Sequence, residues 1–216
     1  NALILSDFSS DASRIPVPSL LAVSAIHHHL IREGTRAKTC LMVETGEARE
    51  VHHIATLLGY GASAVCPYAA LRTLAQFGPE SEGRYVKALS KGLLKVMSKM
   101  GISSVRSYRG AQLFEAVGLS SEVVDRWFTG TPSRIEGLRL NDIERECRAR
   151  HAVAFHPSRT ETMEVGGIYQ WRRHGERHAW DPEAILALQK AARKNSWTTF
   201  KEFSDWVTKS GEEAKE

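Results

Sequence analysis

Over residues 1–70, short apolar runs alternate with stretches of helical period. Leu3-Ile4-Leu5, stopped by Ser6-Asp7, predicts a strand, and Ile15-Pro16-Val17-Pro18 is an extended lead-in because each proline biases its predecessor away from the helical region. A helix follows from Ser19, with apolar Leu20, Val23, Ile26, Leu30 and Ile31 at three-to-four spacing and Gly34 where a left-handed cap belongs. Cys40 to Glu44 predicts the second strand. The stretch from Glu47 to Leu58 predicts a second helix, with Val51, Ile54, Leu57 and Leu58 on one side and Glu47 and Glu50 near its positive end. That helix stops at Gly59-Tyr60-Gly61, and Ala64-Val65-Cys66 predicts a third strand closed by Pro67. Strand and helix in strict alternation define an α/β fold of parallel βα units, barrel-like or doubly wound.

The pattern changes at Phe77-Gly78-Pro79-Glu80-Ser81-Glu82, a stretch rich in breakers and acids that suggests a boundary between residues 1–78 and 79–216. Beyond it the chain reads as mainly helical. Tyr85 to Met100 predicts a helix with Val86, Leu89, Leu93, Leu94, Val96, Met97 and Met100 apolar. Ile102 to Tyr108 reads as a short strand, and Ala111 to Val117 as a helix closed by Gly118. Helices over Ser121–Trp127 and Asn141–His151 flank a loop at Gly130-Thr131-Pro132-Ser133. One β-hairpin is expected where 168–173 and 176–180 flank His174-Gly175. Asp181-Pro182-Glu183 then starts a helix to Lys194, and a last helix carries Trp197, Phe200, Phe203, Trp206 and Val207.

The composition, 42% hydrophobic and 25% charged over 216 residues, supplies a core and a solvated surface, so disorder is excluded as the main description. The net charge of +4 is spread along the chain and points to neither nucleic acid nor membrane as a partner. Cys40, Cys66 and Cys147 are too far apart for a CxxC pair, which argues against a disulfide scaffold or zinc ribbon and suits the cytoplasm. No apolar run approaches the roughly 20 residues of a membrane span, and no secretory pattern opens the chain. Asn1 without a preceding Met, followed at once by strand residues, suggests a piece of a longer polypeptide.

Five motifs bear on chemistry. His27-His28-His29 and His52-His53 invite a metal site, but neighbours on a helix point about 100° apart and no carboxylate or thiol at i+4 completes a ligand set, so packing or capping is the better reading. Gly59-Tyr60-Gly61-Ala62 precedes a strand, the reverse of a dinucleotide fingerprint, and reads as a helix cap. Cys66, within an apolar strand against Pro67, reads as a buried and inert thiol. Lys87, Lys91, Lys95 and Lys99, with Arg106 and Arg109 nearby, form a basic stripe; alternatively to a solvated face, it makes the chain a free-standing binding module for nucleic acid or an acidic protein. Tyr169, Trp171, Trp180, Trp197 and Trp206 read as a compact aromatic core rather than a base-stacking surface.

Several long segments resemble the glutamate synthase large subunit. They include Asn1 to Asp7, Pro16 to Val23, His27 to Gly34, Glu47 to His53 and Gly59 to Ala62, which are similar to the end of its central domain. Lys91 to Ser103, Ser107-Tyr108-Arg109-Gly110-Ala111-Gln112, Phe128 to Thr131, Ser133-Arg134-Ile135-Glu136-Gly137 and Tyr169 to Arg173 continue the resemblance into the opening of its FMN domain.

The resemblance implies an enzyme of glutamate biosynthesis. Such a large subunit releases ammonia from glutamine, passes it through a tunnel to 2-oxoglutarate and reduces the imine to glutamate at FMN, with electrons arriving through iron-sulfur clusters from a small subunit or ferredoxin. Within it, this chain is a structural link between the central and FMN domains, inactive alone. Asn1 is not the cysteine that such an amidotransferase carries at its mature N-terminus, and three scattered cysteines do not make a cluster site. The resemblance therefore carries no catalytic or metal-binding residue onto this sequence and leaves cofactor-binding residues unknown. Arg109, Gln112 and Arg134, polar residues of the most motif-like segments, are the first positions to mutate.

Overall fold

Short apolar runs build the first sheet. The computed structural model describes residues 1–156, 165–167 and 170–213. Strands β1 (Ala2–Ser6), β2 (Cys40–Glu44) and β3 (Ala64–Cys66) lie parallel in the order β1-β2-β3. Ile4 stands level with Met42 and Met42 with Ala64, and the next rung on the same face is Ser6, Glu44 and Cys66. Helices α1 (Ser19–Arg32) and α2 (Val51–Gly59) make the two crossovers. Leu5, Val43 and Val65 meet Val23 of α1 and Ala55 and Leu58 of α2 in the core, where each large aliphatic side chain contributes about 1.5–3 kcal/mol.

The helix ends follow local chemistry. α1 stops at Gly34, which has the left-handed φ of 65° that a side chain would oppose. α2 starts at Val51, later than the sequence pattern suggests. Glu47 stays outside it, and its carboxylate accepts the Ser19 N–H at 2.7 Å, so it caps α1 instead. At the carboxyl ends of the strands, Asp7 accepts the Thr45 hydroxyl at 2.6 Å and the Gly46 N–H at 3.0 Å, locking β1 to β2. Helix α3 (Tyr68–Leu74), absent from the sequence expectations, begins immediately after Pro67.

Helix α4 (Ser81–Lys99) packs against α2, with Gly92 of α4 directly against the Val51 side chain. The next segment departs from expectation. Residues 102–108 are not a strand: Val105–Tyr108 forms the short helix α5, with the Ser104 hydroxyl accepting the Ser107 N–H at 3.1 Å. Nor is 111–117 a helix. Gln112 is at φ 54°, outside the right-handed helical region, and residues 116–119 are drawn into a strand, while the N–H groups of Gly110 and Gln112 donate to the carbonyls of Leu58 and Gly59 at 3.1 and 3.0 Å. Strand β4 (Ala116–Leu119), helix α6 (Ser121–Trp127) and strand β5 (Ser133–Leu138) follow as one parallel βαβ step. Gly137 lies so close to the Gly118 backbone that a Cβ would collide with it. Helix α7 (Leu140–Ala154) closes this part, and its His151 ring nitrogen lies 2.8 Å from the Asp11 carbonyl.

The chain divides into two compact units, residues 1–159 and 160–216. In the second, helix α8 (Pro182–Lys194) opens with the Asp181 carboxylate accepting the Ala184 N–H at 2.8 Å and ends at left-handed Asn195. Helix α9 (Trp197–Glu213) packs back on α8. The expected hairpin falls partly at 168–169, outside the described residues. Its turn is present, with Gly175 N–H donating to the Arg172 carbonyl at 2.9 Å and His174 at φ 63°, but the described residues on either side form no strand.

The aromatic residues of this unit are not a closed core. Trp180, Phe203, Phe200 and Trp197 contact one another in sequence, yet Trp197 is 75% and Trp180 62% exposed. Tyr169 lies outside the described residues. No helix among the described residues is long and apolar enough to cross a membrane.

Candidate functional site

A buried polar cluster lies where α1, α2 and the 108–114 segment meet. The periodicity of α1 turns His27 and His28 inward and leaves His29 exposed. Arg36, on the turn after α1, donates from Nε to His27 Nδ1 at 2.8 Å and from Nη2 to the Gly61 carbonyl at 2.7 Å. His27 therefore carries its proton on Nε2. A Cβ at Gly61 would collide with the His27 ring, and one at Gly110 would lie 3.1 Å from its Cε1. The imidazole is thus held between two glycines, each in a left-handed conformation, with φ 113° and 78°.

The second histidine is held differently. The Gln112 side-chain amide nitrogen lies 2.8 Å from His28 Nε2. An amide nitrogen can only donate, so His28 accepts on Nε2 and is protonated on Nδ1. Burial, then the Arg36 guanidinium and His28, hold the His27 pKa down at about 4. Burial, then Arg32, lowers that of His28. Burial, then the neighbouring Arg109, pushes Arg36 below its ordinary value as well. Both imidazoles are neutral hydrogen-bond partners at neutral pH.

Around this pair the junction is riveted by tyrosines. The fully buried Tyr108 donates its hydroxyl to the Ala55 carbonyl at 2.9 Å. Tyr60 shares a hydrogen bond of 2.7 Å with the Thr131 hydroxyl and packs on Phe114 and Phe128. Ser24 of α1 donates to the Trp127 carbonyl at 2.5 Å. Among the described residues no buried side-chain nitrogen or oxygen lacks a hydrogen-bond partner.

The remaining candidates scatter. His52 packs edge-on to Phe114, and His53 Nδ1 accepts the Arg49 N–H at 3.1 Å, so the second histidine cluster also packs and caps. Gln112 belongs to the junction and Arg109 borders it, whereas Arg134 lies apart on β5, 3.6 Å from Glu115. Lys87, Lys91, Lys95 and Lys99 are all exposed on α4. Cys66 corrects the sequence reading: it is exposed, because it lies on the sheet face that α1 and α2 do not cover. Neither Arg36 nor Tyr108 stood out in the sequence. A lone arginine in a turn carries no pattern, and the Tyr108 motif indicated resemblance without a role.

The three cysteines are not placed to hold an iron-sulfur cluster together. Cys40 starts β2 and Cys66 stands level with its end, roughly 13 Å along the sheet at 3.3 Å per residue, while Cys147 is on α7. Among the described residues no group of three or more His, Cys, Asp and Glu could hold a metal ion. A cavity of about 450 Å³ opens at the carboxyl ends of β1 and β2. Asp7 and Glu44 line it, and its Arg14 is engaged by Asp11 at 2.6 Å, a charge balance that disfavours the phosphate of a flavin nucleotide.

Comparison with known proteins agrees with the resemblance. Residues 1–120 match the family described as glutamate synthase central domain. The chain is 48% identical, over 94% of its length, to the glutamate synthase [NADPH] large chain of Bacillus subtilis (strain 168). It is 39% identical to the glutamate synthase [NADH] of Schizosaccharomyces pombe, over 94% of its length, and 42% identical to the ferredoxin-dependent glutamate synthase of Pyropia yezoensis, over 89%. The chain spans 14%, 10% and 14% of these three proteins. It belongs to the glutamate synthase family, as a fragment of the large subunit that includes central-domain sequence.

Proposed function

We propose that this chain is a structural link in a cytoplasmic glutamate synthase, joining the end of the central domain to the beginning of the FMN domain and supplying no catalytic group. The whole enzyme would transfer the glutamine amide nitrogen to 2-oxoglutarate and reduce the product to glutamate, drawing electrons from a small subunit or ferredoxin. FMN and iron-sulfur clusters would be held by other parts of that polypeptide. The segment's own task is to keep two distant sites in fixed register and to exclude water along the way, since ammonia passing between them must not escape to solvent.

The observation that carries this reading is the His27-His28 junction, in which the buried polar groups satisfy one another across residues 24–131. Such a network makes a rigid support rather than a reaction centre. The match of the central-domain family as far as residue 120 favours a handover to the FMN domain later than Gly78. The exposed lysines of α4 then read as a solvated helix face.

The test is nitrogen coupling in the full-length enzyme. With amide-15N glutamine and unlabelled ammonium in the medium, Gln112→Ala is expected to let unlabelled nitrogen into the new glutamate while glutamine hydrolysis continues. Full coupling in that variant would contradict the reading.

A further inference from the structure

We propose that the open face of the β1-β2-β3 sheet is a docking surface for helices of other βα units of the same large polypeptide. The proposal rests on the reading of this chain as part of a longer glutamate synthase chain. Parallel sheets occur almost only with both faces covered. Here one face is covered by α1 and α2, while the other presents Ile4 at 66% and Met42 at 36% exposure, together with exposed Ala2, Ala64 and Cys66. Its one polar patch is Ser6 hydrogen-bonded to Glu44 at 2.5 Å, at the carboxyl end.

Topology decides where the cover comes from. The strands advance in one direction, β1 to β2 to β3, so two right-handed crossovers place both helices on the same side. In a doubly wound sheet, helices for the opposite face come from units whose strands extend the sheet in the other direction, here from the free edge of β1. That edge offers unpaired backbone groups of Ala2 to Ser6 to a further strand. The relatives supply the material, since the matched region is 14% of the Bacillus subtilis large chain. Apart from Glu44 at its carboxyl end, this strand face is largely aliphatic and calls for the apolar stripe of an amphipathic helix, not for a charged ligand.

The test is made in the full-length large subunit. Alkylation of Cys66, resolved by peptide mass spectrometry, is expected to be slower by about a hundredfold in the native enzyme than after unfolding in guanidinium. Labelling at the unfolded rate overturns the proposal. The occupant is identified with a photo-cross-linking amino acid replacing Ile4. A cross-link within one polypeptide, to a segment outside these 216 residues, supports the proposal. A cross-link between two copies, or to these same residues, overturns it, and so does its absence. Ile4→Lys is expected to lower the melting temperature of the full-length enzyme while Ile4→Leu does not; equal melting of both overturns the proposal. None of these readouts measures nitrogen coupling, so a failure here leaves the structural-link reading standing, and the reverse also holds.

Discussion

Arg36 Nε donates to His27 Nδ1 at 2.8 Å, so a guanidinium and a neutral imidazole join the turn after α1 to the helix itself. The same arginine reaches the Gly61 carbonyl at the end of α2. One residue thereby ties both crossover helices together, and its removal would leave a buried imidazole nitrogen unpartnered. Arg36→Ala is expected to destabilise the chain by about 1–3 kcal/mol, read from urea unfolding.

Stability should depend on pH through the same pair. His27 has a pKa of about 4 in the folded chain against an ordinary 6.5, and that of His28 is also lowered. Between those values the unfolded chain binds the proton and the folded chain does not. The contribution is therefore complete above pH 6.5, falls as the pH drops towards 4, and is absent below that. For His27 it amounts to up to about 3 kcal/mol. Urea midpoints at pH 7.5, 5.5 and 4.5 should fall in that order, and His27→Gln should flatten the slope.

Gly92→Ala separates packing from helix propensity. In an exposed helix interior the change would stabilise by about 1 kcal/mol. Here the new Cβ would overlap the Val51 side chain, so a loss of about 1–3 kcal/mol is expected. Adding Val51→Ala should restore part of the loss, a non-additivity visible in the double-mutant cycle of unfolding free energies.

Tyr108→Phe tests the rivet between α5 and α2. It removes the hydroxyl that reaches the Ala55 carbonyl and should cost about 1 kcal/mol, whereas Tyr108→Ala empties a fully buried site and should cost about 3–5 kcal/mol. Equal effects of the two would show that the ring is not packed as described.

Because Asp7 and Glu44 line the cavity at the strand ends and its Arg14 is paired with Asp11, titration of the chain with FMN should leave the flavin absorbance bands unshifted. Stoichiometric uptake would relocate the cofactor site into this segment.

Much of this architecture is written locally. β2, β3, α6 and α8 follow directly from apolar period and capping residues, and the large-subunit resemblance is legible in long motifs. Other features are decided far along the chain. Gln112 is held at φ 54° and Ala116–Leu119 pair with Ser133–Leu138, so the apparent helix at 111–117 never forms. Alternation pairs Cys66 with Ala64 on one face, but only the positions of α1 and α2 reveal which face is bare. The histidines suggested packing from their spacing; their anchors, Arg36 and Gln112, appear only when the chain is folded.

The central claim is that this segment supports a reaction it does not perform. Arg109→Ala, Gln112→Ala and Arg134→Ala in the full-length enzyme, each measured for turnover and melting temperature, test it most directly. The account predicts turnover within a few-fold of the parent for Arg109 and Arg134, and for Gln112 a lowered melting temperature with proportionate loss of coupled activity. A fall in turnover of about 10²–10⁴ at an unchanged melting temperature would mark one of them as a catalytic group and contradict it.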